Sequence, residues 1–323
     1  VHAAVLHTLG EPPAYRPHPD PVPATGRTLV RVTAAPVVPL DLLCASGTSY
    51  LGRPAVPYVP GVQGVGVVET SAVHPAGSRV WFATSAGMAP GDGSQAERCA
   101  VPDDDVVPLD ADLPDPAVAA IGLSGVAAWM ALTWRGRLRP GERVVVLGAG
   151  GAVGQAAVGA ARTLGAARVV AVCRPGASAE RAARAGADEV VPLTGDVDEL
   201  AARLAEATGG GADVVVDPVF GAAATAASRV LAAGGRLVNL GGASGDTAVF
   251  SSATLRGRSA SVLGYTNNAL TGEQRSTALA AVLARAAAGQ LAVEHDVLPL
   301  SRAAEGWDRT ASGGRRVVLV PGS

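Results

Sequence analysis

A doubly wound, parallel α/β unit inserted into a mostly β unit is the fold class this sequence predicts, and three observations predict it. A regular alternation of strands and helices runs from Ala119 to Tyr265. Inside it, the turn GAGGAVG at 148–154 joins an apolar strand to a helix of small residues. On both sides of it lie short valine-rich runs separated by turn residues, which read as strands.

Taken in order, residues 1–118 carry apolar runs such as TLVRVTAAPV and GVGVVETSAV, punctuated by proline and glycine, and form the mostly β part. From 119 onward the rhythm changes. VVVLG is a strand, followed by a helix to Leu164, the strand RVVAV, a helix near 179–185 and the strand EVVPL. A helix over 197–208, the strand ADVVVD, a helix over 222–232 and the strands GRLVNLG and SASVLGY complete the pattern, which is that of a parallel sheet with crossover helices. One more helix, 272–288, precedes the strand-like HDVLPL and RRVVLV. These last strands cannot extend a finished doubly wound sheet, so they return to the first unit. The expected domains are 1–118 with 266–323, and 119–265.

The glycine turn points to a dinucleotide. Gly148, Gly150, Gly151 and Gly154 fall where the backbone must turn tightly and let a pyrophosphate approach the helix that opens with Ala152 and Val153. The spacing departs from GxGxxG, because Val153 stands at the last glycine's place and Gly154 follows it. The strand before the turn, the helix after it and the second strand ending at Arg174 make it a Rossmann unit. Arg174 also selects the cofactor. A carboxylate at that point accepts from ribose hydroxyls, whereas a 2′-phosphate needs a cation, so the expected cofactor is NADPH, with Arg181 assisting from the next helix.

Composition narrows the partners. A net charge of -2 over 323 residues, with a pI near 6.2, argues against nucleic acid. No run of about 18 strongly apolar residues is present, since 119–132 is interrupted by Gly122, Ser124 and Gly125, so no membrane span is expected. The opening HAAVL is strand-like and lacks the blocks of a signal peptide. Cys44, Cys99 and Cys173 have neither CxxC spacing nor a disulfide framework, which fits a reducing, cytoplasmic compartment. Lysine is absent, so all 26 basic residues are arginine and lysine chemistry is excluded. The expected partner is a small-molecule substrate.

Six segments in order carry a resemblance to the medium-chain dehydrogenase/reductase superfamily, and within it to the zinc-independent, quinone oxidoreductase-like branch. They are HAAVLHTLGEP, VPLDLLCASG, VPYVPGVQGVGVV, SQAERCAVPDDDVVPL, LSGVAAWMAL and ADVVVDPVFG. The resemblance implies that the mostly β part is a GroES-like catalytic domain and that the Rossmann unit is inserted in it. It also implies Leu240, Gly241, Tyr265 and Asn267 as cofactor neighbours, with Asn268 beside them, and Val38, Asp41, Tyr58, Gln63 and Val126 around the substrate pocket. Tyr50 falls near a family pocket tyrosine and is the candidate proton donor; Asp41 is expected to fix its loop by hydrogen bonding. The resemblance further implies a homodimer through the SASVLGY edge strand.

Zinc is not expected. Zinc-dependent members carry cysteine and His-Glu ligands where this chain has Val38, Val62 with Gln63, and Leu123 with Ser124, and the five histidines are scattered elsewhere. Reducing an isolated ketone calls for a Lewis acid or a placed acid, whereas hydride addition to a quinone, enone or enal spreads the new charge. An activated C=C or quinone acceptor is therefore favoured. Two rivals remain: an enoyl-thioester reductase in a biosynthetic pathway, for which Arg53 is the available cation, and an NADPH-binding protein with little turnover, suggested by the apolar Val38 and Val126.

Overall fold

The computed structural model describes residues 1–322 and divides into two compact units, Val1–Gly122 together with the stretch from Glu294 onward, and Leu123–Val293. In the first, β1 (His2–Val5) and β2 (Ala14–Pro17) form a small antiparallel pair. The long β3 (Arg27–Val37) buries alternate residues, Thr28, Val30, Val32 and Ala34, as a strand with one face on a core must. After α1 (Pro39–Ser46) come β4 (Gln63–Thr70), β5 (Arg79–Ala83), β6 (Arg98–Pro102) and β7 (Val106–Pro108), all antiparallel to their neighbours. Val30, Val32, Val68, Val80, Phe82 and Val101 close over one another between these strands.

Helix α2 (Asp115–Met130) breaks at Gly122, whose φ of 18° and ψ of -123° are not helical. It continues into a wider turn, Ala131–Arg135. The stretch Asp115–Arg135 is long and apolar enough to cross a membrane, yet 72% of its most apolar window is buried inside the protein, which is the condition of a core helix.

The second unit alternates β8 (Arg143–Leu147), α3 (Ala152–Thr163), β9 (Arg168–Cys173), α4 (Ala177–Arg184), β10 (Glu189–Pro192), α5 (Val197–Thr208), β11 (Ala212–Asp217), α6 (Gly221–Arg229), β12 (Leu231–Asn239), α7 (Ser252–Arg258), β13 (Ser261–Gly264) and α8 (Gly272–Ala287). Its sheet is parallel throughout, in the order β10-β9-β8-β11-β12-β13, so the strand order reverses beside β8. That reversal is the switch point at which such sheets bind ligands beyond their strand ends. Val145, Leu147, Val170, Val215 and Leu237 meet Leu200 and Leu204 of α5 on one face.

The chain then returns with β14 (His295–Pro299), α9 (Ala303–Ala311) and β15 (Arg316–Val320). β15 lies antiparallel on β3, Val317 opposite Val37, and β14 lies parallel on β15. The expected return of these strands is thus observed: along the chain, a Rossmann-type α/β unit with a parallel sheet is inserted between the two parts of a GroES-like unit with its own mixed sheet. The boundaries differ from 118 and 266. Contacts divide the chain at Gly122 and Glu294 instead, because α8 buries Leu279, Val282 and Leu283 in the second unit and its Arg285 stacks on Trp129, 4.2 Å from the ring centre. α7 has no buried residue and hence no apolar face that the sequence pattern would reveal.

Candidate functional site

The glycine turn at the end of β8 is built by steric necessity. Gly148 has φ +62°, and a Cβ there would meet Val219 at 2.7 Å. A Cβ on Gly150 would fall 2.6 Å from the Ser178 backbone at the start of α4, and one on Gly154 would fall 2.4 Å from Ala149 Cα. Gly154 therefore does the close-packing work of the motif's last glycine, one position later than the strict spacing. Gly151 is exposed and caps α3 without a side-chain bond; its N–H donates to Gly148 O at 3.0 Å and closes the turn. The free first-turn N–H groups at Ala152 and Val153, both half-buried, suit an anion.

Arg174 stands exposed just past β9. Arg181 has a different task from the one expected of it. It is 6% exposed, its Nε donates to Gly150 O at 2.8 Å and its Nη2 to Ser178 Oγ at 3.1 Å, so it braces the glycine turn from α4 rather than reaching outward.

Beyond β11 and β12 lies a group that motif reading missed. Buried Asp217 accepts from Val219 N at 3.0 Å and Phe220 N at 2.7 Å, and its carbonyl accepts from Leu240 N at 2.9 Å. Asn239 Nδ2 donates to Gly241 O at 2.7 Å. Burial raises the Asp217 carboxyl, while those N–H groups and Asn239 oppose the shift. The carboxylate thus shapes the turn at 217–220, whose available signal was the Asp-Pro in ADVVVDPVFG, while the Asp217 carbonyl and Asn239 hold the neighbouring segment that carries half-buried Leu240 and Gly241. On the neighbouring strand end, Tyr265 N donates to Asn239 O at 2.8 Å, and its hydroxyl bonds Asn267 at 2.6 Å. Exposed Asn268 donates its backbone N–H to Thr266 Oγ1 at 3.2 Å. Gly148, Leu240, Gly241, Tyr265 and Asn267 all lie at the carboxyl end of one sheet.

In the first unit, Asp41 is buried and its two oxygens accept from Val38 N at 2.8 Å and Val62 N at 3.0 Å, tying the start of α1 to the approach to β4. Burial pushes its carboxyl up to about 6, opposed by N–H donors and by Arg316. Arg316, itself buried, donates to Val37 O at 2.8 Å and is pulled down to about 10. Gln63 is wholly buried and accepts from Trp81 Nε1 at 3.0 Å. Tyr58 is 6% exposed with no partner for its hydroxyl, and burial, then the Asp41 and Cys44 charges, raise its pKa. Val38 and Val126 are buried as well.

Tyr50 is the exception. It is 81% exposed on the loop after α1, the placement of a solvent-facing side chain and not of a held acid. The structure does not seat it with Asp41, Tyr58 or Gln63.

A zinc ion does not fit the corresponding positions: Val38, Val62 and Leu123 offer no donor, Gln63 is committed to Trp81, and Ser124 brings a neutral hydroxyl in place of a thiolate, imidazole or carboxylate. Among the described residues no three His, Cys, Asp or Glu side chains are grouped to hold a metal.

Two family models match, the alcohol dehydrogenase GroES-like domain over residues 24–111 and the zinc-binding dehydrogenase over 152–284. The chain is 32% identical to the alcohol dehydrogenase of Geobacillus stearothermophilus over 265 residues, 74% of this chain and 77% of that protein. It belongs to the medium-chain dehydrogenase/reductase superfamily of oxidoreductases, on the quinone oxidoreductase-like branch. The solved quinone oxidoreductase of Thermus thermophilus, whose crystal structures include a complex with NADPH, superposes with a TM-score of 0.83 at 32% identity, over 99% of this chain and 100% of that one. The chain is also 36% identical over 218 residues, 66% of its length, to a subunit of the phenolphthiocerol/phthiocerol polyketide synthase of Mycobacterium tuberculosis, of which the match spans 9%.

Proposed function

We propose that this medium-chain dehydrogenase/reductase is an NADPH-dependent, zinc-independent reductase of quinones or activated C=C bonds (enones and enals). The observation that carries the reading is an intact phosphate-binding glycine turn, with Arg174 past the next strand, in a chain whose zinc-ligand positions hold Val38, Val62 and Gln63. The Thermus enzyme's complex with NADPH supports the same cofactor.

Bound NADPH supplies a hydride. When NADPH is bound, the first-turn N–H groups of α3 would hold its pyrophosphate, Arg174 would pair with its 2′-phosphate, and Leu240 and Gly241, tied to Asp217 and Asn239, would serve the nicotinamide half. Asp41 keeps the substrate loop in register with β4 through its two backbone bonds. The anion formed on a quinone or enone is delocalised, so one or two hydrogen bonds and a proton from solvent complete the reaction without a Lewis acid. With Tyr50 in solvent, no fixed phenol from that loop is assigned to proton delivery.

A second reading, enoyl-thioester reduction, is supported by the likeness to the polyketide synthase subunit. Steady-state NADPH oxidation against quinones, enones and enoyl thioesters tests all readings. Turnover of quinones or enones supports the first, preference for thioesters supports the second, and tight NADPH binding with no turnover supports a binding or sensing role. We place the enzyme in a reducing, cytoplasmic compartment, consistent with its three free, buried cysteines.

A further inference from the structure

The Tyr265 hydroxyl has a fixed polarity. Asn267 Nδ2 donates to the Leu123 carbonyl at 3.2 Å, and a carbonyl only accepts, so the nitrogen side of that amide is assigned by its partner. The oxygen side, Oδ1, then faces Tyr265 Oη at 2.6 Å. An amide oxygen donates nothing. The phenol must therefore give its single proton to Asn267, which leaves only its lone pairs for any further partner. Burial keeps the phenol protonated by raising its pKa. Trp134 meets the ring edge-on, with centroids 6.2 Å apart at 76°, and the Tyr265 N–H is bound to Asn239 O, so ring and backbone are both held.

Position supplies the ligand. In the strand order, Arg174 follows β9 on one side of the glycine turn, and β11, β12 and β13 lie on the other. If the adenosine half runs toward Arg174, the nicotinamide half is left with the ends of β11 to β13, where Tyr265 stands beside Leu240 and Gly241. The hydrogen-bond donor a nicotinamide ring carries is its carboxamide NH2. We propose that the Tyr265 hydroxyl accepts a hydrogen bond from that carboxamide, and that Asn267 is the positioning residue that keeps it an acceptor. This rests on the cofactor reading above.

The test compares equilibrium binding of NADPH with that of its 3-acetylpyridine analogue, in which a methyl ketone replaces the carboxamide and no N–H remains. Calorimetric titration reads both without turnover. Wild type should prefer NADPH by roughly tenfold, the scale of one net hydrogen bond. Tyr265→Phe should bring the preference to near unity by weakening NADPH alone. Asn267→Ala should also abolish it, by freeing the phenol to donate to the ketone and so tightening the analogue. Asn267→Asp, which still presents an acceptor to the phenol, should retain it. A Tyr265→Phe variant that keeps the preference, or weakens both ligands equally, would overturn the proposal while leaving the cofactor reading intact. Wild type that binds neither ligand would overturn both.

Discussion

The side-chain oxygen of Gln63 lies 1.9 Å from where a β-carbon on Gly122 would stand. The break in α2 and the buried Gln63–Trp81 hydrogen bond are therefore one arrangement, since the amide reaches the indole through space that only glycine leaves. Gly122→Ala should destabilise the protein by about 1–3 kcal/mol through overpacking. Adding Gln63→Ala should recover part of that loss, although alone it strands the Trp81 N–H. Urea unfolding of the two single variants and the double variant checks this, and strictly additive losses would contradict it.

Asp41 links stability to pH in an unusual direction. Its carboxyl titrates near 6 in the folded chain against 3.8 as a free side chain. Between those values the folded state holds a proton that the unfolded state has released, so Asp41 weakens the fold as pH rises through this window, and above it the penalty stays constant at its full size. Two pH units correspond to about 3 kcal/mol. The stability of wild type relative to Asp41→Asn should accordingly fall between about pH 4 and pH 7, within that limit. A difference that stays constant with pH in urea titrations would contradict the assignment.

Much of this was legible in the sequence because it is backbone chemistry. The turn at Gly148, the parallel rhythm and the return of β14 and β15 each follow from glycine placement or strand periodicity. The placement of α8 was not, because an amphipathic helix states which face it buries and not against which partner. Arg181 departs from expectation for a related reason. Sequence shows a cation near the cofactor loop, whereas its fork is already bound to Gly150 and Ser178 in the folded chain. Tyr50 depended on the conformation of a loop, and Gln63, Trp81 and Gly122 meet across long sequence separations that no motif encodes.

Arg174 carries the cofactor prediction. Arg174→Ala should weaken NADPH binding by about 1.5–3 kcal/mol, the range for a charge-assisted hydrogen bond, and leave NADH nearly unchanged. Fluorescence titration with both cofactors measures it. An equal loss for both would remove Arg174 from the 2′-phosphate site.

The outer strand carries the assembly prediction. β13 is the end strand of the parallel sheet, and residues 259–265 contain neither proline nor charge, the usual protections of an exposed edge. We expect an isologous homodimer that pairs β13 with its copy. Val262→Pro, which removes a backbone donor from that strand, should shift the sedimenting species toward monomer. Wild type that sediments as a monomer at micromolar concentration would contradict the expectation.

Hydride transfer from NADPH to a conjugated acceptor, as proposed, needs no zinc. Its most direct test is mass spectrometry of the product formed from an enone and NADPH deuterated at nicotinamide C4, using enzyme freed of metal by chelation. One deuterium is expected on the β-carbon, transferred at the same rate before and after chelation. Unlabelled product, or labelled product that forms only when zinc is restored, would contradict it.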